Sequence, residues 1–186
     1  MAGKPLDFNT LSTRLTKVAA YRQTLCAFEP LEGLVRRINA IDEPIVAEAK
    51  RVQGQLLELT QRLIAQLHWR DFEVLCDLIF ARSGWQRVAE LGGLQKGTDL
   101  VLQQTATGER AFVQVKSGSD QATLSRYVLD FESDPGFDRM FFICHSPKGT
   151  LTASPSNKPV HVWSGPATAR QAIAAGLLDW LVQKAG

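Results

Sequence analysis

The fold is decided by residues 69–116, which read WRDFEVLCDLIFARSGWQRVAELGGLQKGTDLVLQQTATGERAFVQVK. A helical pattern of apolar residues is followed by glycine-containing turns, an acidic strand that starts near Asp99, and a strand that ends in Gln114, Val115 and Lys116. This order brings a carboxylate, a polar acceptor and a lysine to the edge of one small sheet. Such a set of groups is suited to binding a divalent cation and hydrolysing a phosphodiester.

The sequence around this stretch predicts a small α/β domain. Apolar residues at helical spacing predict helices over residues 72–80, around Leu124, Val128 and Leu129, and over residues 167–184. Alternating or continuous apolar residues predict strands at residues 85–89, 98–103, 110–116, 139–144 and 160–163. The resulting order predicts a central mixed sheet flanked by helices.

The first third of the chain predicts helices without a chemical motif. Asp42, Glu43 and Pro44 are typical of a helix start, and an apolar stripe then continues to Leu67. We therefore divide the chain into an N-terminal helical region, residues 1–67, and a candidate catalytic domain, residues 68–186. The helical region is expected to pack either on the catalytic domain or on a second subunit.

The bulk composition excludes several classes of protein. A formal charge of +2 on 186 residues is nearly balanced, so nucleic acid would have to be bound by a local basic face. The three cysteines, Cys26, Cys76 and Cys144, are widely spaced, which argues against a disulfide framework or a zinc site. Cys76 and Cys144 lie in apolar segments and are expected to be small core residues. Without a membrane-length apolar run or a signal-peptide pattern, we expect a cytoplasmic protein with no membrane contact.

Asp99 is the first residue whose position predicts chemistry. It shares one strand face with Val101, while the neighbouring leucines face the other way. A turn at residues 107–108 predicts a hairpin that brings Asp99 close to Gln114 and Lys116. In isolation, these three side chains are more typical of a structural ion pair than of an active site.

Glu73 favours a metal site over a structural ion pair. It lies at the edge of the apolar stripe of the preceding helix, from which it can point at Asp99. Two acids that point at one place repel each other unless a cation binds between them. The Asp99 carboxylate, the side-chain oxygen of Gln114 and the carbonyl of Val115 are ligands that Mg²⁺ prefers.

These residues together resemble the Mrr-type branch of the PD-(D/E)xK nuclease superfamily, in which the third motif is commonly QxK. The resemblance covers roughly residues 69–144. It rests on Phe72-Glu73 in a helix, Gly84-Trp85, Gly97-Thr98-Asp99-Leu100-Val101, and Gln114-Val115-Lys116. It implies a restriction-endonuclease-like α/β core with a central mixed sheet.

The resemblance also implies a role for each motif residue. Asp99 would be the central metal ligand, and Gln114 with the Val115 carbonyl would complete the metal shell. Lys116 would orient or activate the attacking water and stabilise charge on the phosphate, while Glu73 would be an accessory acid. The implied cofactor is Mg²⁺, for which Mn²⁺ can substitute.

Two positions depart from the pattern of relatives. Gln114 is neutral where many members of the wider superfamily have an acid, so we expect the cation to bind well only when a substrate phosphate adds its own oxygens. Thr98 stands where an apolar residue is usual, and we expect this change to be tolerated.

Three functional hypotheses follow. The first is a metal-dependent DNA endonuclease serving restriction, phage defence or DNA repair, with a homodimer formed through the N-terminal helices and a possible partner protein that delivers the substrate. The second is a catalytically silent nuclease-fold module for nucleic-acid binding or assembly, although the joint retention of Asp99, Gln114 and Lys116 argues against decay. The third is a structural α/β protein in which Asp99 and Lys116 form only an ion pair.

Some isolated residues carry weaker predictions. Lys96 can touch a phosphate near the metal or be a solvated loop lysine, and Gln121 can support the site from the helix that follows Lys116. A nucleic-acid groove can also be lined by Arg82, Arg87 and Arg126, but isolated arginines are more typical of a solvated surface. The four tryptophans are interpreted as packing residues, since none lies within a basic run.

Overall fold

The computed structural model describes residues 7–17, 31–88 and 99–185. The chain divides into two compact units between Gly54 and Gln55, in the middle of one long helix. The residues before this point are called the N-terminal unit and those after it the C-terminal unit. None of the described helices is long and apolar enough to cross a membrane.

The N-terminal unit is helical where it is described. It contains a 3₁₀ turn at Phe8–Thr10, then α1 (Thr13–Thr16), α2 (Leu31–Ile38) and the first half of α3 (Pro44–Gln66). As the sequence predicts, α3 begins at Pro44, whose fixed φ suits the first turn of a helix. Arg36 of α2 pairs with Glu43, and Lys50 of α3 pairs with Asp42 at 2.6 Å.

The C-terminal unit contains a five-stranded sheet with helices on both faces. The helices after α3 are α4 (Trp69–Arg82), α5 (Gln121–Ser133), α6 (Gly165–Ala174) and α7 (Leu178–Ala185). The strands are β1 (Trp85–Arg87), β2 (Leu100–Gln104), β3 (Arg110–Ser119), β4 (Arg139–Pro147) and β5 (Val160–Trp163), in that order across the sheet. The first three strands are antiparallel and the last three are parallel, which confirms the predicted mixed sheet.

Alternation along β3 separates two cores. One core lies between the sheet and helices α4, α6 and α7, and it also includes Ile64 at the end of α3. The residues of β3 that face this core are Ala111, Val113 and Val115. Phe112 faces a second core built on α5. Because successive strand residues point to opposite faces, the side chains at positions 114 and 116 lie on the α5 side of the sheet.

The buried cysteines and most predicted elements appear as expected. Cys76 and Cys144 are fully buried, whereas Cys26 lies outside the described residues. The helix predicted around Leu124 and Val128 is α5, but Leu129 is 65% exposed. It lies about 100° around the helix from Val128 and therefore faces away from the sheet.

The prediction of one continuous helix over residues 167–184 was wrong. The chain bends between α6 and α7, where Gly176 adopts a φ of 65° that ends the first helix. The Arg82 guanidinium, at the end of α4, donates to the carbonyls of Ala175 and Gly176 at this bend. The bend also lets Leu177 reach the core.

Candidate active site

The β2–β3 hairpin builds the candidate site. Leu100 lies opposite Val113, so continuing this register by one residue places Asp99 opposite Gln114. The connecting turn closes with a hydrogen bond from the Gly108 amide to the Gln104 carbonyl at 2.9 Å. Gly108 has a φ of 77°, a conformation that glycine adopts without steric cost.

One oxygen of Asp99 collects three donors from the end of β3. Its Oδ2 accepts hydrogen bonds from the Val115 amide at 2.8 Å, from Lys116 Nζ at 3.2 Å and from the side-chain amide of Gln114. The structure therefore brings together Asp99, Gln114, Val115 and Lys116, as the hairpin hypothesis requires. Their catalytic roles stay predictions.

Lys116 is held between the acid and an aromatic ring. Its Nζ lies 5.6 Å from the centre of the Tyr127 ring, and the guanidinium of Arg126 lies 5.2 Å from the same centre. The side chains of Lys116 and Asp99 are 30% and 25% exposed, so both can be reached from solvent. Sequence reasoning missed Tyr127, although its position three residues after Leu124 places it beside the buried face of α5.

The hydrogen bonding of Gln114 indicates whether a cation can bind beside Asp99. The residue is fully buried, and its Oε1 accepts no hydrogen bond from the described residues. A buried polar atom without a partner is costly. Turning the amide about its last torsion would exchange its oxygen and nitrogen, so that the oxygen faces Asp99 and a cation can satisfy both groups.

The donor set also fits a hard divalent cation. The N–H and C=O of one strand residue point to the same edge, so the Val115 carbonyl lies on the side of its amide, toward Asp99. A carboxylate, an amide oxygen and a backbone carbonyl suit Mg²⁺. The part of the chain that the structure describes contains no cluster of three His, Cys, Asp or Glu residues suited to a metal, so the predicted set depends on the amide and the carbonyl.

Glu73 lies in a cleft with Asp99. The cleft measures about 290 Å³, and its lining residues are Trp69, Arg70, Glu73, Val74, Asp77, Arg87, Asp99 and Leu100. Burial raises the pKa of Glu73 above its ordinary value, and the charge of Asp99 raises it further, against smaller opposing effects of Lys116, Arg87 and Arg70. The two acids therefore repel each other across a space where a bound cation would relieve the repulsion.

We expect Glu73→Gln to raise the melting temperature of the metal-free protein by about 1–2 °C at pH 8. The pKa of Glu73 is higher in the folded protein than its ordinary value. The contribution of Glu73 to the free energy of unfolding is therefore fully present below the ordinary glutamate pKa and is lost as the pH rises through the raised value. Glutamine carries no such charge, so the difference between variant and wild type should vanish near pH 4. Thermal melts in EDTA from pH 4 to pH 8 measure this difference.

Glu132→Gln, on the exposed side of α5, is the matched control for losing a carboxylate elsewhere. If Glu73→Gln were less stable than wild type at pH 8, repulsion between Glu73 and Asp99 could not be the dominant effect.

Of the two other predicted residues, Lys96 falls outside the described residues, and Gln121 lies apart from this cluster. Gln121 uses its amide to accept from the Thr152 backbone amide at 2.9 Å and to donate to the Thr152 carbonyl at 2.9 Å, with a further bond to Ser125. It therefore holds the loop that follows β4. Arg87 is exposed, as expected for a surface arginine, and it also lines the cleft.

Comparison with known families agrees with this geometry. Residues 64–140 match the Mrr_cat family model, which is described as a restriction endonuclease. This match is consistent with an Mrr-type restriction endonuclease-like family. The matched segment runs from the end of α3 to the start of β4, so it includes Glu73, the hairpin and Lys116.

The family match confirms the resemblance drawn from the motifs, and the mixed sheet flanked by helices agrees with a restriction-endonuclease-like fold. It also supports a nuclease, because the matched family model is described as a restriction endonuclease. No curated protein and no solved structure gave a significant match.

Proposed function

We propose that the protein is a metal-dependent endonuclease that hydrolyses phosphodiester bonds in DNA. The observation that carries this proposal is the convergence of Gln114, Val115 and Lys116 on one oxygen of Asp99, inside the segment that matches the restriction endonuclease family. Glu73 in the adjoining cleft supplies a second carboxylate.

The residues divide between holding a cation and handling the phosphate. Asp99, the side-chain oxygen of Gln114 and the carbonyl of Val115 would hold Mg²⁺ or Mn²⁺, with Glu73 as the accessory acid. When bound, the cation would supply Lewis acidity that makes water more acidic and offsets charge on the phosphate.

Lys116 is suited to the charge that develops during the reaction. Its ammonium has three protons, and the hydrogen bond to Asp99 at 3.2 Å uses one of them. The others are available to a water or a phosphate oxygen, because the side chain is partly exposed. A donor fixed where charge builds up stabilises the transition state more than the ground state.

A homodimer through the N-terminal unit is part of this proposal, since a double-strand cut is simplest with two active sites. Deleting residues 1–54 is expected to convert a dimer into a monomer by light scattering, while the C-terminal unit keeps its core. A dimeric mass that survives the deletion would assign dimer formation to the C-terminal unit. The proposed setting is cytoplasmic restriction, phage defence or DNA repair, with a partner protein delivering the substrate.

One observation favours a second candidate, a catalytically silent nuclease-fold module that binds nucleic acid or assembles with other proteins. Asp99 already receives three hydrogen bonds from its own chain, so this carboxylate is satisfied without a cation. A silent module would need the cluster only as a structural ion pair.

A cleavage assay separates these candidates. Purified protein is incubated with supercoiled plasmid, linear duplex or single-stranded DNA, in Mg²⁺, Mn²⁺ or EDTA, beside the Lys116→Ala protein. Metal-dependent cleavage that the variant lacks is the expected result. Absence of cleavage together with a melting temperature that neither cation changes would support the silent module.

A further inference from the structure

Trp69 is more exposed than the sequence predicts. It is the first residue of α4, and 49% of its surface is exposed, whereas Trp85 is only 8% exposed. The interpretation of all four tryptophans as packing residues was therefore wrong for Trp69. A single exposed aromatic side chain is common on protein surfaces and does not by itself indicate a ligand. The indole of Trp69 is informative because it lines the cleft that contains Asp99.

The position of Trp69 in this cleft limits which kinds of ligand can contact its indole ring. Trp69 lines the same cleft as Asp99 and Glu73, so whatever contacts the indole also approaches the candidate metal ligands. The cleft, at about 290 Å³, is just below the range of about 300–1,000 Å³ that is usual for small-ligand sites. It is therefore suited to one unit of a polymer rather than to the broad face of a duplex.

Two arginines accompany the indole. The Arg70 guanidinium lies 5.1 Å from the centre of the Trp69 ring, and Arg87, on the edge strand β1, lines the same cleft. The cleft also contains the carboxylates of Glu73, Asp77 and Asp99, whose charge a cation would offset. Aromatic rings beside arginines are the usual means of binding single strands, because bases stack on the rings and phosphates pair with the cations.

We propose that Trp69 is a stacking platform for an unpaired base next to the phosphodiester that is cut. Arg70 and Arg87 contact the flanking phosphates. The preferred substrate is then DNA with a single-stranded segment at the cut site, because paired bases within a duplex do not offer their faces to an indole. This inference rests on the proposed nuclease function for its choice of ligand.

Binding to the Lys116→Ala protein tests the platform without cleavage. The probes are a fluorescent thymidine 12-mer and the same strand paired with its adenine complement, with affinity measured by anisotropy at two salt concentrations. Adding Trp69→Ala should weaken single-strand binding about 10-fold or more. Trp69→Phe should restore most of the affinity, and duplex affinity should change less than about 2-fold.

Matched controls separate stacking from charge. Leu129→Ala removes an exposed apolar side chain from α5 and should leave both affinities unchanged. Arg87→Gln should weaken binding of both probes and lower the salt slope by about one. Arg170→Gln, on the exposed side of α6, should do neither.

Equal losses on both probes, or no loss on the single strand with Trp69→Ala, would overturn the platform. This failure differs from a failure of the nuclease proposal. Metal-dependent cleavage of the single-stranded probe by the Trp69→Ala protein at the wild-type rate, with protein below saturation, would preserve the nuclease and reject the platform. Single-strand binding that depends on Trp69, in a wild-type protein that cuts nothing, would preserve the platform and reject the nuclease.

Discussion

Lys116→Ala is expected to lower the rate of DNA cleavage by about 10²–10³-fold or more while the protein stays folded. The side chain contacts Asp99 at 3.2 Å and is partly exposed, so its loss removes a donor from the candidate site without opening a cavity in the core. Single-turnover cleavage at saturating protein measures the loss separately from DNA binding. Lys148→Ala, an exposed lysine on the loop after β4, is the matched control and should cleave like wild type.

Asp99→Asn is the companion variant for the metal ligand. Asparagine keeps an oxygen that can accept from the Val115 amide, which Asp99 binds at 2.8 Å, so the hairpin is less disturbed than by alanine. The variant should lose cleavage and also lose any rise in melting temperature that Mg²⁺ produces in wild type. Cleavage at the wild-type rate by either Lys116→Ala or Asp99→Asn would reject the assignment of the site.

Gln114→Glu is expected to destabilise the metal-free protein by about 3–5 kcal/mol at pH 8, or roughly 6–20 °C in melting temperature. Gln114 is fully buried, and its amide now donates to Asp99. Glutamate replaces that donor with a carboxylate, so two negative charges meet in a place with little water. Mg²⁺ should restore most of the lost stability, since two carboxylates hold a divalent cation better than one.

The pH dependence of Gln114→Glu follows from the same repulsion. The introduced carboxyl is expected to have a folded-state pKa above its unfolded value, so its stability is greatest below the ordinary glutamate pKa and falls as the pH rises through the raised value. At pH 5 the protonated group can donate to Asp99, and the deficit should shrink. Melts at pH 5 and pH 8, with and without Mg²⁺, measure both effects.

Gln103→Glu, on an exposed position of the same hairpin, is the control for adding a charge there. A Gln114→Glu protein that gains no more from Mg²⁺ than wild type does would indicate that position 114 does not contact the cation.

The candidate site could be predicted because it depends on local rules. The period of two along a strand places Gln114 and Lys116 on one face, and the turn at Gly108 sets which residue lies opposite Asp99. Neither rule requires knowledge of the rest of the fold. The mixed sheet was predictable for a similar reason, since each strand and helix has its own apolar period.

The parts that escaped prediction are tertiary. Tyr127 reaches Lys116 only because α5 packs across β3, and Arg87 joins the cleft only because β1 pairs with β2 beside Asp99. Apolar content predicts that a tryptophan is buried, but Trp69 stands at the first turn of α4, next to an open cleft. The bend at Gly176 was missed because alanines and leucines on both sides continue the helical pattern.

The contact between Arg82 and the bend at Gly176 has a consequence for how the candidate site is supported. The helix that carries Glu73 is anchored at its far end to the bend between α6 and α7, and Leu177 and Leu181 complete the core beneath it. A truncated variant that lacks these two helices would keep every residue of the candidate site but would expose the core that positions Glu73. Residues far from the site in sequence are therefore part of its mechanical support.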